Sequence, residues 1–187
     1  MKNRNGFYFL VTIALLIISH TATADKWDNA EKAIKHLSPT IYKGLPEGFI
    51  RKLKQRGCTI PQSFVTTAAH NIISGEFAKK GQQDWAILCS LNHSSTILIF
   101  WGGASSCQSE FNVSKDRDWL QETANGIAYS RAISVVGKAF IQSHFEAYGG
   151  ETPPPIEHSA IDEAFIEKSS TVHYCHNGKW LRLTGSD

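Results

Sequence analysis

The chain has 187 residues, 42% of them apolar, with 19 basic against 17 acidic side chains and a formal net charge of +2. That near balance supplies no field able to hold nucleic acid or an anionic membrane surface. With ten Phe, five Trp and five Tyr to fill a core, the length suits one domain.

The first five residues carry Lys2 and Arg4 and no acid, an apolar run follows from Gly6 to Ser19, and Ala22-Thr23-Ala24 precedes Asp25. Basic start, short apolar middle and small-residue end are the three parts of a cleavable secretory signal. Fourteen apolar residues reach about 21 Å as a helix, short of a hydrocarbon core of about 30 Å, so an anchor is disfavoured. Cleavage after Ala24 would leave 163 residues (187 − 24) and a net charge of zero (17 − 17), because only Lys2 and Arg4 are lost. The expected location is therefore exported, periplasmic or extracellular, with no transmembrane segment after cleavage. The basic cluster Arg51-Lys52-Lys54-Arg56 reads as the wet side of a helix.

In chain order, Trp27, Ala30, Ile34 and Leu37 recur at helical spacing, and Pro39 ends the run. A second helix is predicted over 46–56, with Leu45, Phe49 and Leu53 on one side and Gly57 as the stop. From Phe64 the pattern turns to strands: 71–77, then a hairpin of 85–91 with 96–101 around Asn92-His93-Ser94-Ser95. Residues 127–136 read as one further strand, and 138–148 as an amphipathic helix with Phe140, Ile141, His144, Phe145 and Tyr148 on one side. Gly149 to Pro155 is an extended connector inside the domain. Last, 171–176 and 179–183 flank Asn177-Gly178, the preferred pair of a two-residue type I′ turn. The expected fold class is α+β, a strand-dominated single domain over 25–187.

Cys58, Cys89, Cys107 and Cys175 all follow the signal. An even number in an exported chain points to disulfides. Three connectivities are open, with Cys58–Cys89 and Cys107–Cys175 the preferred set.

Residues 72–87, IISGEFAKKGQQDWAI, match the FG-GAP or VCBS-type repeat at Gly75, Glu76, Phe77, Gly81, Asp84, Ala86 and Ile87. The stretch resembles that family, and the resemblance implies a strand, a calcium-binding turn and a return strand. Calcium takes about six to eight oxygen ligands. Ala78 and Lys80 occupy ligand positions and Lys79 lies between them, so no calcium is expected and Asp84 should cap or pin the turn. One motif makes no propeller, which needs several blades. More widely, RGCTIPQ (Arg56 to Gln62), the GEF…DWAILCS segment and the tail from Ile161 resemble a family of secreted bacterial proteins of uncharacterised activity.

Chemistry is sparse. His173, Cys175 and His176 are compact enough for a metal, but strand alternation splits them and Cys175 is wanted for a disulfide. No nucleophile elbow, glycine-rich phosphate loop or dinucleotide fingerprint occurs. A free catalytic cysteine would need His70, His144 or His173 as base. The carboxylates Asp116 with Asp118, and Asp162 with Glu163 and Glu167, read as solvated turns and faces. No catalytic residue, metal or cofactor is therefore assigned. Trp119, set among Asp116, Arg117 and Asp118, reads as an exposed contact for a protein or glycan. The function expected is a non-catalytic exported binding protein, in one version an inhibitor or immunity protein for a cell-wall hydrolase. The alternatives are a periplasmic hydrolase using carboxylate and His chemistry, or a structural envelope component.

Overall fold

The computed structural model describes residues 26–105 and 107–186. The proposed signal segment lies outside the described residues. Among those described, three helices accompany twelve strands in four antiparallel sheets, so the strand-dominated α+β expectation holds.

Helix α1 covers 26–32 and is shorter than its periodicity suggested. Leu37 is drawn instead into β1 (His36–Leu37), which pairs with β2 (Ile60–Pro61). That pairing lies outside the local pattern. Helix α2 (Glu47–Arg56) follows Pro46 and ends at Gly57, whose φ of 78° is left-handed. A glycine there carries no Cβ penalty.

The first large sheet runs β3 (Ile72–Gly75), β4 (Asp84–Leu91), β5 (Ser94–Phe100) and β6 (Glu110–Lys115), each paired with the next. The β4–β5 turn has two residues rather than the four expected, because Asn92 (φ 51°) and His93 (φ 61°) both take left-handed backbone. The second large sheet holds β9 (Arg131–Val136), β10 (Ala160–Phe165), β11 (Ser169–His176) and β12 (Lys179–Thr184) in chain order. Asn177 and Gly178 make the expected tight turn, with φ of 50° and 81°. β7 (Leu120–Thr123) and β8 (Gly126–Tyr129) form a separate hairpin. The single strand expected over 127–136 is therefore two. Ser130 interrupts it, its N–H donating to Trp119 O and its carbonyl accepting from Ile166 N–H, and the halves enter different sheets.

Alternation along these strands builds layers. Ile87, Cys89 and Leu98 face Leu53 of α2, while Ala86, Leu88, Ile97 and Ile99 face Ile133 and Ile161 of the second sheet. Val172, Tyr174 and Leu183 then pack on Ile141 of α3 (Lys138–Tyr148). The order is helix, sheet, sheet, helix. Both preferred cystine pairs form: Cys58–Cys89 joins the end of α2 to β4, and Cys107–Cys175 joins the segment before β6 to β11. All four cysteines are thereby used, so no free thiol stands beside any histidine.

Candidate functional site

The region expected to be a binding surface is largely internal. Asp116 is fully buried, and its Oδ2 accepts from Ser90 Oγ at 2.5 Å. Trp119 is half-buried: its ring stacks on Phe165 at 5.5 Å, carries the Arg131 guanidinium over its face at 4.7 Å, and its N–H donates to Ser114 Oγ. Arg117 pairs with Asp28 and Glu31, and Asp118 alone is exposed. The short 3-10 turn over Asp116–Trp119 puts Asp116 and Trp119, three residues apart, on one inward face, which a run of charges in sequence conceals. Asp162 and Glu163, expected on a solvated face, are buried in β10.

A different region presents a surface to solvent. The loop 62–70 leaves β2 and returns to the first sheet through Asn71. Its base is closed by side chains. Gln62 Oε1 accepts the His70 N–H at 2.9 Å, and Gln62 Nε2 lies 3.0 Å from His70 O and 3.0 Å from Tyr42 Oη. Tyr42 also donates to His70 O. Burial pushes the Tyr42 hydroxyl up to about 12, opposed by its bond with Gln62, so it stays a neutral donor. His70 Nδ1 faces Ala68 O at 3.0 Å; a carbonyl only accepts, so Nδ1 carries the proton. His70 Nε2 is then free to accept from Ser63 N–H at 3.0 Å and Ser63 Oγ at 2.8 Å. Asn71 (φ 70°) fixes the exit, its amide bonded to Pro61 O, Arg131 O and Ile133 N–H.

The tip is the opposite of its base. Phe64 is 37% and Val65 54% exposed, although both are apolar. Beside them runs a groove of about 330 Å³ lined by Ala33, Ile34, Phe64, Thr67, Ile127 and Ala128, among others. α1 and the residues after it form one wall, β8 the other. A Gln-x₇-His spacing carries no recognisable signal, and the pairing of Gln62 with His70 emerges only once the loop closes.

Two further polar clusters lie elsewhere, one at the surface and one between the sheets. His36 Nδ1 is 3.2 Å from Thr59 Oγ1, and its Nε2 is 3.9 Å from Asp116 Oδ2, beside a cleft of about 290 Å³. Burial lowers the His36 pKa, Asp116 opposes this and His93 reinforces it, so the ring is neutral at pH 7. Thr59 Oγ1 donates to Ser90 O at 3.2 Å, which occupies the hydroxyl proton with backbone. Between the sheets, Arg131, Glu163 and His173 form a chain: Arg131 Nε donates to Glu163 Oε1 at 2.7 Å, and Glu163 Oε2 meets His173 Nε2 at 2.8 Å. His173 is thereby committed to Glu163 and Cys175 to its disulfide, and no metal-holding group of His, Cys, Asp or Glu occurs among the described residues.

At the β3–β4 turn, Asp84 is fully buried and accepts from four donors: the N–H groups of Phe77, Ala78 and Gly102, and Gln82 Nε2, at 2.7–3.0 Å. The carboxylate thus pins the turn. Gly102 is required for that approach, since a Cβ there would lie 2.1 Å from Gln83 O. Comparison with protein-family models, with curated proteins and with solved structures gives no match.

Proposed function

We propose that this is an exported, non-catalytic binding protein that engages a protein partner through the 64–69 tip and the groove beside it. One observation carries the reading: a loop whose base is closed by Gln62, His70 and Tyr42 holds two large apolar side chains in water. Adjoining exposed apolar groups beside a groove mark an interaction site more often than single exposed ones do. A loop fixed before binding loses little conformational freedom on association. Two disulfides, and the lack of any described helix long and apolar enough to cross a membrane, are consistent with export. An inhibitor or immunity protein acting on a cell-wall hydrolase is the concrete version: the tip would enter the hydrolase cleft.

The test compares wild type with Phe64→Asp/Val65→Asp on immobilised peptidoglycan and in periplasmic extract. The expected result is a protein retained by wild type and lost with the double variant, while Gln62→Ala, which loosens the loop, retains it more weakly. Equal retention by both proteins, or retention on peptidoglycan alone, overturns the reading.

A hydrolase is the second reading, favoured by Ser63 Oγ at 2.8 Å from His70 Nε2. A serine held by a base is the start of nucleophilic catalysis. Ser63 is only 4% exposed, however, and its own N–H occupies the same lone pair, so the contact serves loop closure. Labelling of Ser63 by a fluorophosphonate would favour the hydrolase.

A further inference from the structure

A second cleft, of about 310 Å³, opens between the β3–β4 turn, residues 155–158 and the β11–β12 hairpin. Lys79, Lys80, His158, His176 and Asn177 line it, with Glu157 as the single acid. Neither lysine makes an ion pair among the described residues, and both are exposed.

His158 gives the cleft its character. Its Nδ1 faces Ser159 O at 2.9 Å and its Nε2 faces Cys175 O at 3.1 Å. Both partners are backbone carbonyl oxygens, which fix the place of the ring in the cleft wall. The ring also stacks on Tyr174 with centroids 4.3 Å apart, which holds its orientation. Two lysines against one glutamate leave the cleft with a formal charge of +1 (2 − 1), in a chain whose residues after Ala24 sum to zero.

The frame around these charges is rigid. Asp84 holds the Ala78 N–H at 2.9 Å at the root of the lysine turn. Cys175, on the opposite wall, is tied to Cys107, and Glu157 N–H is held by Tyr174 Oη at 3.1 Å. A concave positive site on a fixed frame differs from scattered surface lysines in that both lysines line the space one anion would fill.

We propose that this cleft binds a small ligand through an anionic group, a carboxylate or a phosphate. The site is formed by segments other than the 62–70 loop and stands whether or not that loop binds a protein.

The test titrates the oxidised protein with inorganic phosphate, with an oligogalacturonate and with a neutral glucose oligosaccharide of equal length, followed by amide chemical shifts. Saturable binding of phosphate or galacturonate is expected in the millimolar range or tighter, with shifts at Lys79, Lys80 and His158. Phosphate alone identifies a phosphoryl ligand, galacturonate alone a uronic acid, and both together recognition by charge. Lys79→Glu/Lys80→Glu is expected to weaken binding by about tenfold or more with an unchanged melting temperature, as removal of charge partners at a surface site does. His158→Gln, which alters the wall but leaves both lysines, is expected to weaken it less. Equal binding of the neutral oligosaccharide, undiminished binding by the lysine variant, or no saturable binding of either anion overturns the proposal.

Discussion

The Arg131 guanidinium and the Glu163 carboxylate meet between the two large sheets, Nη2 to Oε1 at 2.5 Å, with side-chain exposures of 0% and 2%. Arg131 directs its remaining donors to Ser95 O, Ser95 Oγ and Asn112 O at 2.6–2.8 Å. A buried pair is costly to break from one side, because the survivor keeps its charge without its partner. Glu163→Gln is therefore expected to lower unfolding free energy by about 3–5 kcal/mol. Arg131→Met/Glu163→Leu should lose less than Glu163→Gln alone. Urea denaturation of the three proteins checks this order.

The neighbouring carboxylates of β10 respond to pH in opposite senses. Burial pushes Glu163 up, but the His173 hydrogen bond and the Arg131 charge outweigh it and hold the group below its usual 4.5. Its contribution is thus present above pH 4.5 and is lost as pH falls through the lower folded value. Asp162 is raised above its usual 3.8, chiefly by burial and against its bond with Ser170, and its Oδ1 has no partner. Ionised Asp162 costs stability, and that cost is relieved as pH falls through its raised value. Asp162→Asn should therefore match or exceed wild type at pH 7, and Glu163→Gln should lack the steep loss on the acid side. Thermal melts from pH 7 to pH 3 measure both.

Asp84 should behave as a structural acceptor. Asp84→Ala leaves the buried Phe77 N–H and Gln82 amide without their acceptor. Unpaired buried donors cost about 1–3 kcal/mol each, so a loss of roughly 3 kcal/mol or more is expected. Calcium should leave the melting temperature of wild type unchanged, since Asp84 is saturated and Lys79 and Lys80 oppose a divalent cation. Calorimetry with calcium and with chelator measures it.

The disulfides should differ in worth. Their sequence separations are 31 for Cys58–Cys89 and 68 for Cys107–Cys175. Loop-closure entropy gives about 3.7 and 4.4 kcal/mol, respectively. Paired Cys→Ala replacement of Cys107 and Cys175 should therefore destabilise more than that of Cys58 and Cys89. Equal losses would show that native packing, not the tethered unfolded chain, sets the difference.

Features with a short-range cause were readable in the chain. The Asn177-Gly178 turn needs only two residues able to adopt positive φ, and α2 needs only its apolar face and Gly57. The break at Ser130 was not readable, because its bonds to Trp119 and Ile166 belong to distant segments. Nor was the inward turn of Asp116: Lys115-Asp116-Arg117-Asp118 is locally a solvated sequence, and only the contact with Ser90, 26 residues away, draws one carboxylate inside. The 62–70 loop escaped for a related reason. Phe64 and Val65 have strand composition, and nothing local says that Gln62 and His70 will hold them clear of a sheet. The turn at Lys79–Lys80 was legible as polar, but the His158 that faces it lies beyond the proline connector.

The order of the cystines bears on how the protein is made. First pairs with second and third with fourth along the chain. A polypeptide entering an oxidising compartment N-terminus first offers Cys58 and Cys89 to the oxidant before Cys107 arrives, and leaves Cys107 waiting for Cys175. Were the chain exported in this way, vectorial oxidation would favour this set over the other two connectivities.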